Sequence, residues 1–160
     1  MELIANIKKI YYHTCTPNVV GGCHINFWSG LGAYTTARGF DIATHYQRSG
    51  IRILTDPSNK YSLAWPVLVK LGCMAGVDSM HVGMLGGYYP EGESEEETLE
   101  AIKICQKYDV IPSLSCGMNP VLAREIKERI GNNWMASVGG WLHTGDSLIK
   151  KVKEMSESLN

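Results

Sequence analysis

No stretch of the 160 residues keeps an apolar run of about 18, the length at which a helix could span a bilayer. Met1-Glu2-Leu3 lacks the basic start and small-residue cleavage site of a secretory signal, so the cytoplasm is the expected compartment. Blocks of Lys or Arg are missing too. Lys150-Lys151 and Lys153 sit in a C-terminal helical pattern, and a formal net charge of -1 gives no electrostatic reason to expect DNA or RNA. Cysteine is sparse and unpaired in pattern: Cys15, Cys23, Cys73, Cys105 and Cys116 are odd in number and scattered, which suits reduced, small core residues better than a disulfide framework. What remains is ordinary globular material, 44% hydrophobic and 19% charged, enough for one domain spanning 1–160 with no linker or internal repeat.

From about residue 32 the pattern alternates between short apolar runs and amphipathic segments, with turns of a few residues between them, as repeated βα units do. The strand candidates are Ile51-Arg-Ile-Leu-Thr55, Ser79-Met-His-Val-Gly83, Val110-Ile-Pro-Ser-Leu-Ser115 and Trp134-Met-Ala-Ser-Val138, with Lys9 to Thr14 a further one. In the N-terminal third both Cys23–Trp28 and Gly32–Ala37 read as strands. The second is favoured, followed by a turn at Gly39 and a helix from Asp41 to Arg48. These readings predict an α/β fold: a parallel sheet of five or six strands forming part of a (β/α)8 TIM-barrel-like architecture. A whole barrel needs roughly 200 to 250 residues, more than this chain has.

Helix boundaries are marked in the sequence. Ser94 with Glu97 three residues on is a capping box, opening a helix with Leu99, Ile102 and Cys105 on one face. Asn119 caps a helix with Pro120 in its first turn, and Gly131 ends it. Trp65-Pro66 begins another, ending near Gly72 or Gly76. Asp146 is placed to cap the last helix, whose Leu148, Ile149, Val152, Met155 and Leu159 are expected to form a buried stripe.

Two turns follow the last two strand candidates: Ser115-Cys116-Gly117 and Ser137-Val138-Gly139-Gly140. Main-chain N–H groups exposed at glycine turns, aided by the positive end of a following helix, complement an oxyanion without any cationic side chain. The pair is therefore a candidate phosphate grip. The same glycines serve equally as strand-to-helix turns that need positive φ or close backbone approach.

In order along the chain, Ala37-Arg-Gly-Phe-Asp-Ile-Ala43, Val67-Leu-Val-Lys-Leu71, Gly76-Val-Asp-Ser-Met-His-Val-Gly83, Gly86-Gly87, Ile111-Pro-Ser-Leu-Ser-Cys-Gly117 and Val138-Gly-Gly140 resemble the C-terminal barrel of the RuBisCO large-subunit and RuBisCO-like protein family. Coverage runs from about residue 32 to 145. The resemblance implies that His81, at the end of the sixth family strand, touches substrate phosphate or a nearby polar group. It also implies phosphate binding by Ser115 and Gly117 and by Gly139 and Gly140.

Departures from the family pattern are equally specific. No Lys-Asp-Asp-Glu-like stretch, which in the family holds Mg²⁺, occurs here, so no metal site or cofactor is expected in this chain. Tyr88 stands after Gly87, where the carboxylating enzymes have a mobile-loop lysine, and the fifth-strand His-Arg pair is expected to be replaced around Thr55-Asp56-Pro57-Ser58. CO2 fixation by this polypeptide alone is therefore not expected. If a second chain supplied the missing strands and Mg²⁺ ligands, the family would imply enolisation of a sugar phosphate, with isomerase or carboxy-lyase chemistry. A non-catalytic phosphate-ligand-binding or assembly subunit, and an unrelated phosphate-binding half-barrel enzyme, stand as alternatives. Open sheet edges predict an oligomer, either a homo-oligomer or a pairing with a complementary subunit.

Among single residues, Asp56 and His81 are the candidates for acid/base work at strand ends. Asp56-Pro-Ser is also ordinary turn chemistry, and His81 fits a hydrogen-bonded core position as well as a ligand contact. His13, Cys15, Cys23 and His24 lack the close paired spacing of structural zinc sites. The acids of Glu93-Ser-Glu-Glu-Glu97 complement a helix dipole. Cys116 lies beside the proposed anion site with no His or Lys neighbour in sequence to activate it.

Overall fold

Five short strands make one parallel sheet in the order β1-β2-β3-β4-β5: β1 (Gly22–Asn26), β2 (Ala43–Gln47), β3 (Ser79–Gly83), β4 (Ile111–Leu114) and β5 (Met135–Ala136). The computed structural model describes residues 22–48, 50–86, 94–145 and 147–159. Parallel neighbours in chain order require a crossover at each step, and helices supply them. They are α1 (Leu31–Arg38), α2 (Arg52–Thr55), α3 (Trp65–Met74), α4 (Glu95–Lys107), α5 (Pro120–Ile130), α6 (Gly139–Leu142) and α7 (Leu148–Leu159). The α/β class and the five-stranded parallel sheet are as the sequence predicts.

Strand alternation divides the side chains into two sets. Ile25, Tyr46, Met80, Val82 and Leu114 point to the helices and are buried there against Tyr34, Trp65, Leu68, Ile102, Ala123 and Ile126. Tyr34 stacks on Tyr46 with ring centroids 5.4 Å apart, and its hydroxyl donates to the Ile25 carbonyl at 2.7 Å. The Trp65 indole donates to the Val82 carbonyl at 3.0 Å, and the Arg48 guanidinium lies 4.8 Å over the Trp65 ring. A Cβ at Gly72 would meet Met80 Cε, the movable end of a side chain, and would touch the Tyr46 ring at ordinary contact distance, so α3 packs directly on the sheet at this point. Asp78, just before β3, accepts from the Thr44 amide at 2.7 Å and pairs with Arg38, tying β2, β3 and α1 together.

The helix signals at Ser94 and Asn119 behave as read. Ser94 and Glu97 exchange both capping-box bonds, and Asn119 accepts from the amides of Val121 and Leu122 at 3.0 and 3.1 Å. The N-terminal third departs from expectation by one element. Cys23 belongs to β1, Gly32–Ala37 lies within helix α1, the expected helix Asp41–Arg48 is mostly strand β2, and the expected strand Ile51–Thr55 is mostly the short helix α2. Leu31-Gly-Ala-Tyr-Thr-Thr-Ala-Arg38 has weak intrinsic helix preference, with a glycine and two β-branched residues; burial of Ala33, Tyr34 and Ala37 on one face overrides it.

One expectation at the C-terminus also changes. Leu148, Ile149 and Val152 are exposed, and the buried positions of α7 are Met155 and Ser158. The hydroxyl of Ser147 accepts from the Lys150 amide at 3.3 Å. Asp146, the Lys9–Thr14 strand, His13, Cys15, Tyr88 and Glu93 lie outside the described residues.

The clasp at Asp78 generates a prediction. Asp78→Ala strips the acceptor from the amide of Thr44, a residue only 1% exposed, and should lower unfolding free energy by about 1–3 kcal/mol in urea titration. Asp78→Asn keeps an acceptor and should lose less.

Candidate functional site

The other set of strand side chains is unusual in kind. His24 of β1, His45 and Gln47 of β2, Ser79 and His81 of β3 and Ser113 of β4 all face away from the helices, as the register His24↔His45↔Ser79 and His81↔Ser113 requires. Inward positions of closed barrels are filled mostly by bulky branched residues. Here they are mainly polar, with Ile111 and Met135 the bulky apolar members of the same face. Residues from all five strands or their C-terminal ends line one cleft of about 700 Å³, so the sheet curls around it.

At the C-terminal rim of this cleft the two glycine turns come together. Ser115, Cys116 and Gly117 follow β4, Ser137 to Gly140 follow β5, and both groups line the cleft with His81. The hydroxyls of Ser113 and Ser137 hydrogen-bond at 2.8 Å, and the Ser137 amide donates to the Leu114 carbonyl at 2.9 Å, locking one turn to the other strand. His81 Nε2 is hydrogen-bonded to Ser115 Oγ, which also lies 3.3 Å from Cys116 Sγ. The Ser115 amide is engaged by the Gly83 carbonyl at 3.1 Å. Ser115 can therefore offer its hydroxyl to a ligand, and not its N–H. Among the described residues, the amides of Gly117, Gly139 and Gly140 donate to no protein acceptor.

The reason for glycine differs between the turns. Gly117 has φ +90°, where an L side chain is strained, and it follows Cys116 at φ +68°. Gly139 and Gly140 carry no such φ, and a Cβ on either would meet nothing within 4 Å. Neither crowding nor backbone conformation demands glycine at 139 and 140. Their bare backbone faces the cleft.

Deeper in, His45 Nδ1 is 2.8 Å from Ser79 Oγ, and its ring centroid lies 4.5 Å from that of His24. Burial, and then the neighbouring His24, push the pKa of His45 from its ordinary 6.5 down to about 4, so it is neutral at pH 7. No Lys or Arg and no carboxylate lines the cleft among the described residues. Mg²⁺ prefers carboxylate and water oxygens, and the histidines, hydroxyls and amide here do not form such a set. No grouping of three or more His, Cys, Asp or Glu among the described residues could hold a metal ion.

Asp56 is not on this cleft. Its carboxylate accepts from the Ser58 amide at 2.9 Å and the Ser58 hydroxyl at 2.7 Å, and these bonds, with Arg52 3.4 Å away, hold its pKa below the usual value. That is a turn at the end of α2, remote from His81 and Ser115. Thr55 to Ser58, where the replacement of the family's His-Arg pair is expected, lie at the end of helix α2 and not of a strand, and Arg48 at the end of β2 turns to the helix side over Trp65. Sequence reading did not find His24, His45, Gln47 and Trp141 as cleft residues. Polar residues at every second strand position were the available signal, legible once β1 and β2 are placed.

The chain matches no protein-family profile. It is 28% identical over 129 residues to the ribulose bisphosphate carboxylase of Halothiobacillus neapolitanus, covering 71% of this chain and 28% of that enzyme. The chain thus spans little more than a quarter of that relative's length. A dimeric archaeal RuBisCO from Hyperthermus butylicus superposes with a TM-score of 0.75 at 23% identity, over 97% of this chain and 40% of that one. A RuBisCO-like protein from Alicyclobacillus acidocaldarius gives 0.79 at 15% identity, over 98% and 40%. The RuBisCO-like resemblance read from the ordered motifs therefore extends to the aligned sequence, and the sheet is of the RuBisCO barrel type.

The depressed His45 pKa sets a pH dependence. The unfolded chain takes up the proton near pH 6.5 and the folded one near 4, so stability contributed by neutral His45 is complete above about pH 6.5 and declines as the pH falls towards 4. Denaturant unfolding at pH 7, 5 and 4 should show this decline, and His45→Gln should flatten that part of it.

Proposed function

We propose that the cleft binds a phosphorylated sugar or sugar-acid derivative, with the phosphate between the Gly117 and Gly139-Gly140 turns and the polyol against the histidine-lined floor. One observation carries the reading: three main-chain amides without protein acceptors sit on two turns that meet at one rim. His81 and Ser115 add a hydrogen-bonded pair beside them, able to donate to a phosphate oxygen. Gln47, His45 and His24 suit hydroxyls. Resemblance to a ribulose bisphosphate carboxylase supports the sugar-phosphate class.

Catalysis by this chain alone is not part of the proposal. A cleft without carboxylate or lysine among the described residues favours ligand binding without turnover. Enolisation would need a metal centre whose acidic ligands come from a second chain; with it, carboxy-lyase or isomerase chemistry would follow from the family likeness. The chain is also proposed to associate with itself, as the dimeric archaeal relative does.

Calorimetric titration with inorganic phosphate and with a pentose phosphate tests the site. Gly139→Asp places a carboxylate in open space, so the fold should survive while binding of both ligands falls below detection. Gly139→Ala should bind more weakly and fold normally. Unchanged affinity in the aspartate variant removes the proposed site.

A further inference from the structure

Two serine–histidine pairs stand among the polar strand side chains: His45 Nδ1 with Ser79 Oγ, and His81 Nε2 with Ser115 Oγ. The first is internal packing, because both residues lie within strands and Ser79 does not line the cleft. The second opens onto the cleft rim. Ser115 directly follows β4, and with its amide fixed by the Gly83 carbonyl at 3.1 Å, the hydroxyl is its reactive end. Cys116 and Gly117 then turn the chain at φ +68° and +90° before α5 begins at Pro120. A strand, a sharp turn at positive φ and a helix form the local architecture that lifts a nucleophile clear of a sheet.

Donors for a developing oxyanion belong to the same rim. The register Leu114↔Ala136 sets Ser115 level with Ser137, one inter-strand spacing of about 4.8 Å away. The Ser137 amide and hydroxyl are bonded to Leu114 and Ser113 at 2.9 and 2.8 Å, so its turn is held against β4. Gly139 and Gly140 follow after Val138, and their amides, like that of Gly117, donate to no protein acceptor.

We propose that Ser115 is a nucleophile for acyl transfer, with His81 as its general base, acting on small carboxylic esters that enter the cleft. In the tautomer that carries its proton on Nδ1, His81 Nε2 accepts from the Ser115 hydroxyl. Oγ bonds to the ester carbonyl carbon as its proton passes to Nε2, and the carbonyl oxygen takes the negative charge against the turn amides. The bond from that carbon to the alcohol oxygen then breaks, and the alcohol leaves with the proton from Nε2. Water attacks the acyl-serine, giving a proton to Nε2; Oγ recovers it and the carboxylic acid departs. Ester and water become acid and alcohol, and no oxidant or reductant is required. The lack of carboxylate and lysine in the cleft bears on sugar-phosphate turnover; here one negative charge falls on an oxygen that amides can meet. The inference goes beyond the phosphate reading, although it draws on the same amides.

A fluorophosphonate, which bonds to an activated serine oxygen with loss of fluoride, tests this on the wild-type chain, so the result does not hang on a variant's folding. Peptide mass mapping should place one adduct on Ser115, and none on the chain unfolded in urea. His81→Gln should slow labelling by about 100-fold or more, and Ser79→Ala should leave the rate unchanged. No adduct, an adduct on Cys116 in place of Ser115, labelling of the unfolded chain, or an equal rate in His81→Gln would overturn the proposal. So would a rate that falls as far in Ser79→Ala. Phosphate calorimetry separates the two readings: an adduct on Ser115 without phosphate binding removes the grip alone, and binding without an adduct removes the nucleophile alone.

Discussion

The alternation of side chains across five parallel strands governs everything else in this molecule. One set, Ile25, Tyr46, Met80, Val82 and Leu114, is committed to the helices and supplies the core. The other, which holds His24, His45, Ser79, His81 and Ser113 together with Ile111 and Met135, is mainly polar. A shift of one residue in any strand would exchange the two sets, placing histidines under the helices and bulky apolar groups in the cleft. Register is therefore specified from both sides at once, and the polar site and the apolar core are two readings of one constraint.

Several bonds hold that arrangement at the places where it could slip. Tyr34 reaches over to the Ile25 carbonyl, Asp78 fixes the Thr44 amide, and Trp65 meets the Val82 carbonyl. Each joins the sheet to an element outside the strand it contacts. Burial makes each harder to replace, because a polar group deprived of its partner away from water costs more than the bond itself contributes. Tyr46 sits among Tyr34, Phe27 and Trp65, and its hydroxyl pKa is raised chiefly by burial.

Much of the second half of the fold was legible because local chemistry and global packing agree there. Ser94 and Asn119 are capping residues by type and by position, and Ser79–Gly83 and Ile111–Leu114 combine strand composition with turn signals at their ends. The first half resisted reading because the two levels conflict. Helix α1 contains Gly32, Thr35 and Thr36, and strand β2 puts His45 and Gln47 where an apolar alternation would be sought, so that both segments take their form from what surrounds them. The same inversion hid half of the site. Ser115, Gly117, Gly139 and Gly140 follow readable strands and announce themselves; His24, His45 and Gln47 acquire meaning only after β1 and β2 are in register. The stripe expected on α7 shows the remaining limit, since amphipathic spacing identifies an apolar face without telling whether this chain covers it.

β5 is joined to β4 through only two residue pairs, reinforced by the Ser113–Ser137 hydroxyl contact and one further main-chain bond, and yet it carries the turn with Gly139 and Gly140. Behind it, Lys151 reaches back to the Trp141 carbonyl and the Thr144 hydroxyl, so the final helix is roped to that same turn. An anion clasped between the turns would rivet the thinnest seam of the sheet. Occupancy and C-terminal rigidity would then rise and fall together, making the tail of the chain a reporter on the cleft.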